Sequence, residues 1–308
     1  MTAPLAPLRV ICGPTAAGKS ALAMRLAARR RITVVSADSR QVYEGFDIGT
    51  AKPTREERTA VPHAGIDVSP PTVRYSASMW AEGAERWIAD SEADGRAPVV
   101  VGGTGLYIRA LVQPLFDAPA LDPDVRERLD AVIGALPVAE LQRWCRALDP
   151  VKASLGRTQL LRAIETALLT GRRLSALQAA NARAPRFAAR YLVVDPGAER
   201  LAAWIAGRAE AMLDAGWPEE VERLARTVPA DAPAWQASGY GIVRRLVAGE
   251  LRRAEAATAI AIETRQYAKR QRTWFRHQLA GAPVTVVDPT APGADTLVER
   301  WWHGGDTA

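Results

Sequence analysis

Cysteine is nearly absent from this chain: Cys12 and Cys145 are the only two among 308 residues, and they show no metal-ligand spacing. No zinc finger is encoded, and Cys12, inside an apolar run, reads as a buried, reduced thiol of a cytosolic protein. Long apolar runs are missing too. No stretch of about 18 apolar residues exists to cross a bilayer, and the first residues lead into an apolar strand pattern without the charged flank and apolar core of an export signal. Internal repeats are also lacking. These absences leave a soluble, cytoplasmic chain with no membrane partner, expected to act as a monomer. What is present is a 48% hydrophobic content, enough for one large α/β domain with an insertion or for two modest domains. With 40 Lys+Arg against 34 Asp+Glu the net charge is +6, which favours a polyanionic partner without requiring one. Much of that excess is arginine in an Ala/Arg-rich composition, so its location matters more than its total.

Along the chain, residues 1 to about 115 alternate strand and helix patterns: Leu8–Cys12, a helix opening near Ser20, Ile32–Ser36, a helix around Ser76–Ala93, and Pro98–Val101. Short, continuous apolar strands alternating with helices predict a parallel sheet covered on both faces. From Asp117 the texture changes. Helical patterns follow at Val125–Ile133, Val138–Leu148 and Thr158–Thr170, with no strand candidate before Tyr191–Asp195. The expected architecture is thus an α/β core, a parallel sheet flanked by helices, 1–118 and 191–308, carrying an all-helical insertion, 119–190. An amphipathic stretch Arg200–Ala215 and later helices through His277 follow, Val284–Val287 is a candidate edge strand, and the tail Gly304–Ala308 is expected to fray.

The most informative motif is Gly13-Pro14-Thr15-Ala16-Ala17-Gly18-Lys19-Ser20, which fits G-x-x-x-x-G-K-[ST] directly after a strand and at the start of a helix, so the expected α/β core is P-loop NTPase-like. Glycines let the backbone fold into a nest of N–H donors, the helix start adds partial positive charge, and Lys19 offers an ammonium to phosphate oxygens. The Ser20 hydroxyl is a ligand for Mg²⁺. Whose phosphates bind is not readable from the loop.

The second strand runs into Asp38-Ser39-Arg40-Gln41, which places a carboxylate beside the phosphate loop at the carboxyl edge of the sheet, where ligands bind in open α/β folds. Asp38 is a base, a metal ligand, or merely the N-cap of a helix. The third strand ends Gly102-Gly103-Thr104-Gly105-Leu106-Tyr107. Thr104 can hydrogen-bond a bridging phosphate oxygen, or it simply caps the following helix. Asp195 and Asp288 also end strands, but both precede turn residues and read as turn formers. The densest basic cluster lies in Glu263–Arg276. On a helix, Arg265, Lys269, Arg272 and Arg276 share one face, suited to nucleic-acid backbone or pyrophosphate, or else only solvated. Tyr267, Arg270 and Trp274 fall on another face, read as the packing side.

Together, Gly13–Ser20, Ala37-Asp38-Ser39-Arg40-Gln41-Val42-Tyr43, Asp47-Ile48-Gly49-Thr50-Ala51-Lys52-Pro53, Gly102–Tyr107 and Thr264–Arg276 resemble the bacterial tRNA dimethylallyltransferases, and the likeness extends over nearly the whole chain. The resemblance implies transfer of a dimethylallyl group from dimethylallyl diphosphate to the exocyclic amine of the adenosine just 3′ of a tRNA anticodon, with diphosphate leaving and Mg²⁺ assisting. It implies that Gly13 through Ser20, with Arg265, bind the diphosphate, and that Lys19, Asp38 and Thr104 are catalytic, Asp38 as the base. It implies tRNA contacts at Asp38, Ser39, Arg40, Gln41 and Thr104, at Arg126 and Gln159, Leu160, Leu161, Arg162 and Ala163 in the insertion, which would close on the anticodon stem-loop, and at Lys269, Arg272 and Arg276. Gln159, where an arginine is common, and Gly241-Ile242, where a polar pair is common, depart from the pattern and leave those local contacts open. Rival readings are an adenylate isopentenyltransferase, a P-loop kinase or NTPase, and an RNA-binding protein without activity. The insertion and the basic stripe argue against the first, since a mononucleotide needs neither.

Overall fold

The computed structural model describes residues 7–113, 121–180 and 187–304, apart from the side chain of Pro123. Six strands, β1 (Leu8–Cys12), β2 (Ile32–Ser36), β3 (His63–Ala64), β4 (Ala97–Gly102), β5 (Ala189–Val194) and β6 (Val284–Val287), form one sheet in the order β3-β2-β4-β1-β5-β6. Every pairing is parallel. β1, β2 and β4 are almost wholly buried apolar segments, as strands covered on both faces must be. Their carboxyl ends deliver Gly13, Ala37 and Gly103 to one edge. β1 lies between β4 and β5, so the chain moves outward in opposite directions from this point, which opens a crevice there.

β5 begins two residues before the expected start because Leu8 and Arg9 pair with Ala189 and Arg190, so the boundary expected at 190/191 falls inside a strand. The boundary expected at 118/119 and the tail residues 305–308 lie outside the described residues. Several elements escaped the sequence, the helix Arg55–Ala60 among them. β3 is two residues long, too short for any alternation to register, and the helix Ala294–His303 is held by its aromatic end. There the Arg9 and Arg30 guanidinium carbons stand 4.1 and 4.7 Å from the Trp302 ring centroid, contacts formed only across the chain. The core between sheet and helices includes Ile11, Leu22, Val99, Leu192, Leu201, Ile205 and Trp301.

Contacts divide the chain into two compact units, Met1–Val112 with Arg186–Ala308, and Gln113–Pro185. The second unit contains the helices Pro123–Ile133, Val138–Leu148, Arg157–Thr170 and Leu174–Ala180 around its own core of Ile133, Leu141, Cys145, Leu160, Ala163, Ile164 and Leu174. The fourth helix was not expected from the sequence. It is fixed from a distance by the fully buried Asp149, whose carboxylate accepts the Ser175 amide at 2.8 Å and its hydroxyl at 2.6 Å.

Candidate active site

The phosphate loop takes the shape that its glycines permit. Gly13 has φ 137°, and a Cβ there would lie 2.4 Å from the Val194 carbonyl, so the end of β1 can pass β5 only without a side chain. Gly18, at φ 91°, turns the chain into the helix Lys19–Ala27, whose first amides have no partner within the helix. Lys19 donates to the Pro14 carbonyl at 2.6 Å. Burial pushes its ammonium down to about 8, the Asp38 carboxylate opposes that shift, and Arg208 adds to it. Behind the loop Cys12 is buried and free, and burial pushes its thiol up to about 12, an inert packing group.

One amide of the loop already has a partner. The Thr15 amide is directed to the Gln271 side chain at 2.7 Å and so is not part of the nest. Thr15 through Ser20 line a cavity of about 380 Å³ together with Ser36, Asp38, Thr50, Trp204 and Arg208. An adjoining cavity of about 230 Å³ shares Thr15, Asp38, Thr50 and Arg208, and is walled by Ile205, Met212, Trp217, Ile260 and Tyr267. Both chambers have mixed polar and apolar walls, and they meet at Asp38 and Arg208.

No helix follows Asp38, which disposes of the capping alternative. Its Oδ1 accepts the Arg40 amide at 2.9 Å in a tight local turn, and the residue lines both cavities. Thr104 is drawn to the same place: its amide donates to the Ala37 carbonyl, and its hydroxyl accepts the Ser39 amide at 3.0 Å and lies 3.3 Å from the Ser39 hydroxyl. Arg40 lines the smaller cavity. Gln41, half-buried, lines the larger of these two cavities and is also held by its neighbours. Its Nε2 donates to the Thr50 and Ala51 carbonyls and its Oε1 accepts the Ser36 hydroxyl, so its polar atoms fasten the neighbouring loop.

Arg208 is the site residue that sequence reading missed. Its guanidinium lines both cavities, burial holds it below the usual arginine range, and the Asp38 carboxylate opposes that shift. Within an amphipathic stretch rich in Ala and Arg, nothing local distinguishes Arg208 from Arg200, which instead pairs with Asp288 at 2.7 Å.

The helix Arg253–Gln278 separates two environments. Tyr267 and Arg270, expected on a packing side, face the Asp38 cavity, and burial beside Asp38 pushes the Tyr267 hydroxyl up to about 12. Arg265, Lys269, Arg272 and Arg276 do share one face, but that face lines a different cavity of about 730 Å³, with Pro14, Leu201, Phe275 and Val284. Arg265 thus shares a cavity with Pro14 of the phosphate loop, and Lys19 and Ser20 line another. Asp195, a turn former as expected through its bond from the Gly197 amide, also accepts Arg272 Nε at 3.0 Å.

In the second unit, Leu160 and Ala163 are 0% exposed and offer RNA no surface, because the helix Arg157–Thr170 turns them into that unit's core. Gln159 and Arg162 are exposed and Leu161 is partly so. Arg126 is exposed and paired with the Glu165 carboxylate.

Among the described residues no group of three or more His, Cys, Asp or Glu side chains is placed to hold a metal ion. The Ser20 hydroxyl and Asp38 carboxylate do line one cavity, a hard-oxygen set that suits Mg²⁺ shared with a phosphate ligand. Among the described residues no helix is long and apolar enough to cross a membrane.

Comparison with known proteins supplies the family. The family model described as IPP transferase matches residues 41–278, and that described as isopentenyl transferase matches 6–63. The chain is 40% identical to the tRNA dimethylallyltransferase of Deinococcus radiodurans, over 97% of this chain and 98% of that one, and 44% identical to that of Rhodospirillum centenum, over 90% of each. Among solved structures, the full-length tRNA isopentenylpyrophosphate transferase of Bacillus halodurans aligns with a TM-score of 0.68 at 32% identity, covering 96% of this chain and 95% of that one. A eukaryotic dimethylallyltransferase acting on tRNA, at 22% identity and TM-score 0.77, shares the fold over 97% of this chain and 80% of its own. The sheet is the P-loop NTPase-like one of these enzymes, and this chain belongs to the IPP transferase family.

Proposed function

We propose that the protein is a cytoplasmic tRNA dimethylallyltransferase, which moves a dimethylallyl group from dimethylallyl diphosphate to the exocyclic N6 amine of the adenosine 3′-adjacent to the anticodon and releases diphosphate. The observation that carries this reading is the meeting of Lys19, Arg208 and Asp38 where the chamber of the phosphate loop joins one walled in part by Ile205, Met212, Trp217 and Ile260. The anion fits the first and the prenyl group the second.

An adenine amine is a weak nucleophile buried in a stacked loop, so the base must be taken out of the stack and aligned with the allylic carbon. The amine nitrogen forms a bond to that carbon, the carbon–oxygen bond breaks with its electron pair leaving on diphosphate, and Asp38 takes the amine proton. Lys19, Arg208 and the loop amides face the developing negative charge, and the Thr104 hydroxyl stands near the bridging oxygen. Ser20 is the residue that would hold Mg²⁺, which when bound neutralises part of the diphosphate charge. Arg126, Gln159 and Arg162 of the second unit, with Ser39, Arg40, Lys269, Arg272 and Arg276 of the first, are the side chains offered to the tRNA anticodon stem-loop.

The test is incubation of the purified protein with dimethylallyl diphosphate, Mg²⁺ and unmodified tRNA, followed by nucleoside mass spectrometry, with adenosine monophosphate as a parallel acceptor. Prenylated adenosine in tRNA alone is the expected product. Product from the mononucleotide alone, or none from either, would reject the assignment.

A further inference from the structure

The helix Arg253–Gln278 runs behind the two turns that carry the reacting groups, and one of its side chains bonds to both. Gln271 is 7% exposed. Its Oε1 accepts the Thr15 amide of the phosphate loop at 2.7 Å, and its Nε2 donates to the Gly103 carbonyl at 2.9 Å. No slack remains around it. A Cβ on Gly103 would stand 2.4 Å from the Gln271 nitrogen, and one on Gly105 would stand 2.2 Å from the Trp274 ring, so the turn bearing Thr104 is pressed backbone-first against the helix. A primary amide presents an acceptor and a donor at its tip at every pH, which a carboxylate or an alkyl group of the same length does not.

We propose that Gln271 is a positioning residue for prenyl transfer, fixing the spacing between the phosphate loop that holds the leaving diphosphate and the turn that sets Thr104 against its bridging oxygen. The inference rests on the functional reading above. Gln271 touches no reacting atom, so its effect falls on the chemical step and not on tRNA capture.

Two variants test it. Gln271→Glu keeps the length and the acceptor for Thr15 but sets a carboxylate oxygen against the Gly103 carbonyl, whereas its protonated form restores the donor. Gln271→Met keeps the volume and removes both bonds. Single-turnover rates with tRNA and dimethylallyl diphosphate, measured below each variant's melting temperature, are expected to fall by about 10- to 100-fold with tRNA affinity unchanged, the scale of a small misplacement of reacting groups. The ratio of the Gln271→Glu rate to the wild-type rate should climb as pH is lowered from about 8 to about 6, across the range of a buried carboxyl, while the Gln271→Met ratio stays flat. Rates within about twofold of wild type, or a Gln271→Glu ratio indifferent to pH, would overturn the assignment. A wild-type protein that does not turn over removes the reading beneath it, whereas wild-type turnover with unaffected variants defeats the role of Gln271 alone.

Discussion

The buried carboxylate of Glu220 accepts the Tyr240 hydroxyl at 2.6 Å on one oxygen and the amides of Asp47 and Ile48 at 2.9 and 2.7 Å on the other. It thereby ties the helix Trp217–Ala225 to the loop that brings Gly49 and Thr50 into the cavity beside Asp38. Lys52 holds the same loop from the far side, donating to the Tyr43 carbonyl at 2.6 Å and to Asp47 at 2.7 Å. Glu220→Gln removes the charge that the Asp47 and Ile48 amides share and leaves its N–H to be met only if the Tyr240 hydroxyl turns from donor to acceptor. It should lower stability by about 2 kcal/mol, since hydrogen bonds to a charged group are worth about 1.5–3 kcal/mol, and Tyr240→Phe should cost less. Denaturant melts of both variants check this, and equal stability of Glu220→Gln and wild type would contradict it.

Asp38→Asn preserves shape and still accepts the Arg40 amide, yet cannot take a proton. Turnover should drop by about 10²–10⁴ with tRNA and diphosphate binding intact, the range of a lost general base. A Mg²⁺ titration under single-turnover conditions separates this from metal ligation. Recovery with added metal and weakened diphosphate binding would make Asp38 a ligand, and a near-normal rate at any metal concentration would remove it from the chemistry.

Lys19, held near 8 by burial, is an ammonium below that pH and a neutral amine above it. A bound diphosphate favours the protonated form, so donor binding should weaken as pH rises through about 8. The Michaelis constant for dimethylallyl diphosphate should climb by up to about tenfold per pH unit there, as expected for one linked proton. A constant that stays level to about pH 9.5 would place Lys19 outside the anion site. Lys19→Ala should abolish transfer while tRNA binding, by filter retention, changes only a few fold.

Arg126 serves two partners in this reading: Glu165 within its unit and an RNA phosphate outside it. Reversing its charge would set it against Glu165, so Arg126→Gln in a Glu165→Gln background is the cleaner probe. The apparent tRNA affinity should fall, and the slope of log affinity against log salt should flatten by about one unit or less. Identical slopes would deny the second unit a phosphate contact at this position.

The phosphate loop and Asp38 were legible in the sequence because their signals are local: Gly13, Gly18 and Lys19 sit within eight residues, and a strand end places Asp38 at the sheet edge. The four β-strand segments expected from continuous apolar runs, and the edge strand, appear because burial on both faces leaves a compositional trace. Arg208, Gln271 and Glu220 carry no such trace. Gln271 finds Thr15 across 256 positions and Gly103 across 168, and Glu220 finds Asp47 across 173, so only folding brings their partners together. Periodicity grouped the cations of Glu263–Arg276 correctly but not the surfaces they meet. It could not tell that Tyr267 and Arg270 would look toward Asp38. Leu160 and Ala163 entered the tRNA set through motif position, where burial in the second unit's own core decides otherwise.

One rigid rod presents Tyr267 and Arg270 to the reaction cavity and Lys269, Arg272 and Arg276 to the opposite hollow. An α-helix turns about 100° with each residue, so the two assignments are locked in phase by residue count alone. Lengthening or shortening Glu263–Arg276 by a single residue would swing everything beyond that point through more than a quarter turn, withdrawing Gln271 from Thr15 and Gly103 and carrying charged side chains toward the apolar floor. A substitution along this segment disturbs the contacts of one side chain; a change in its length disturbs every contact beyond it.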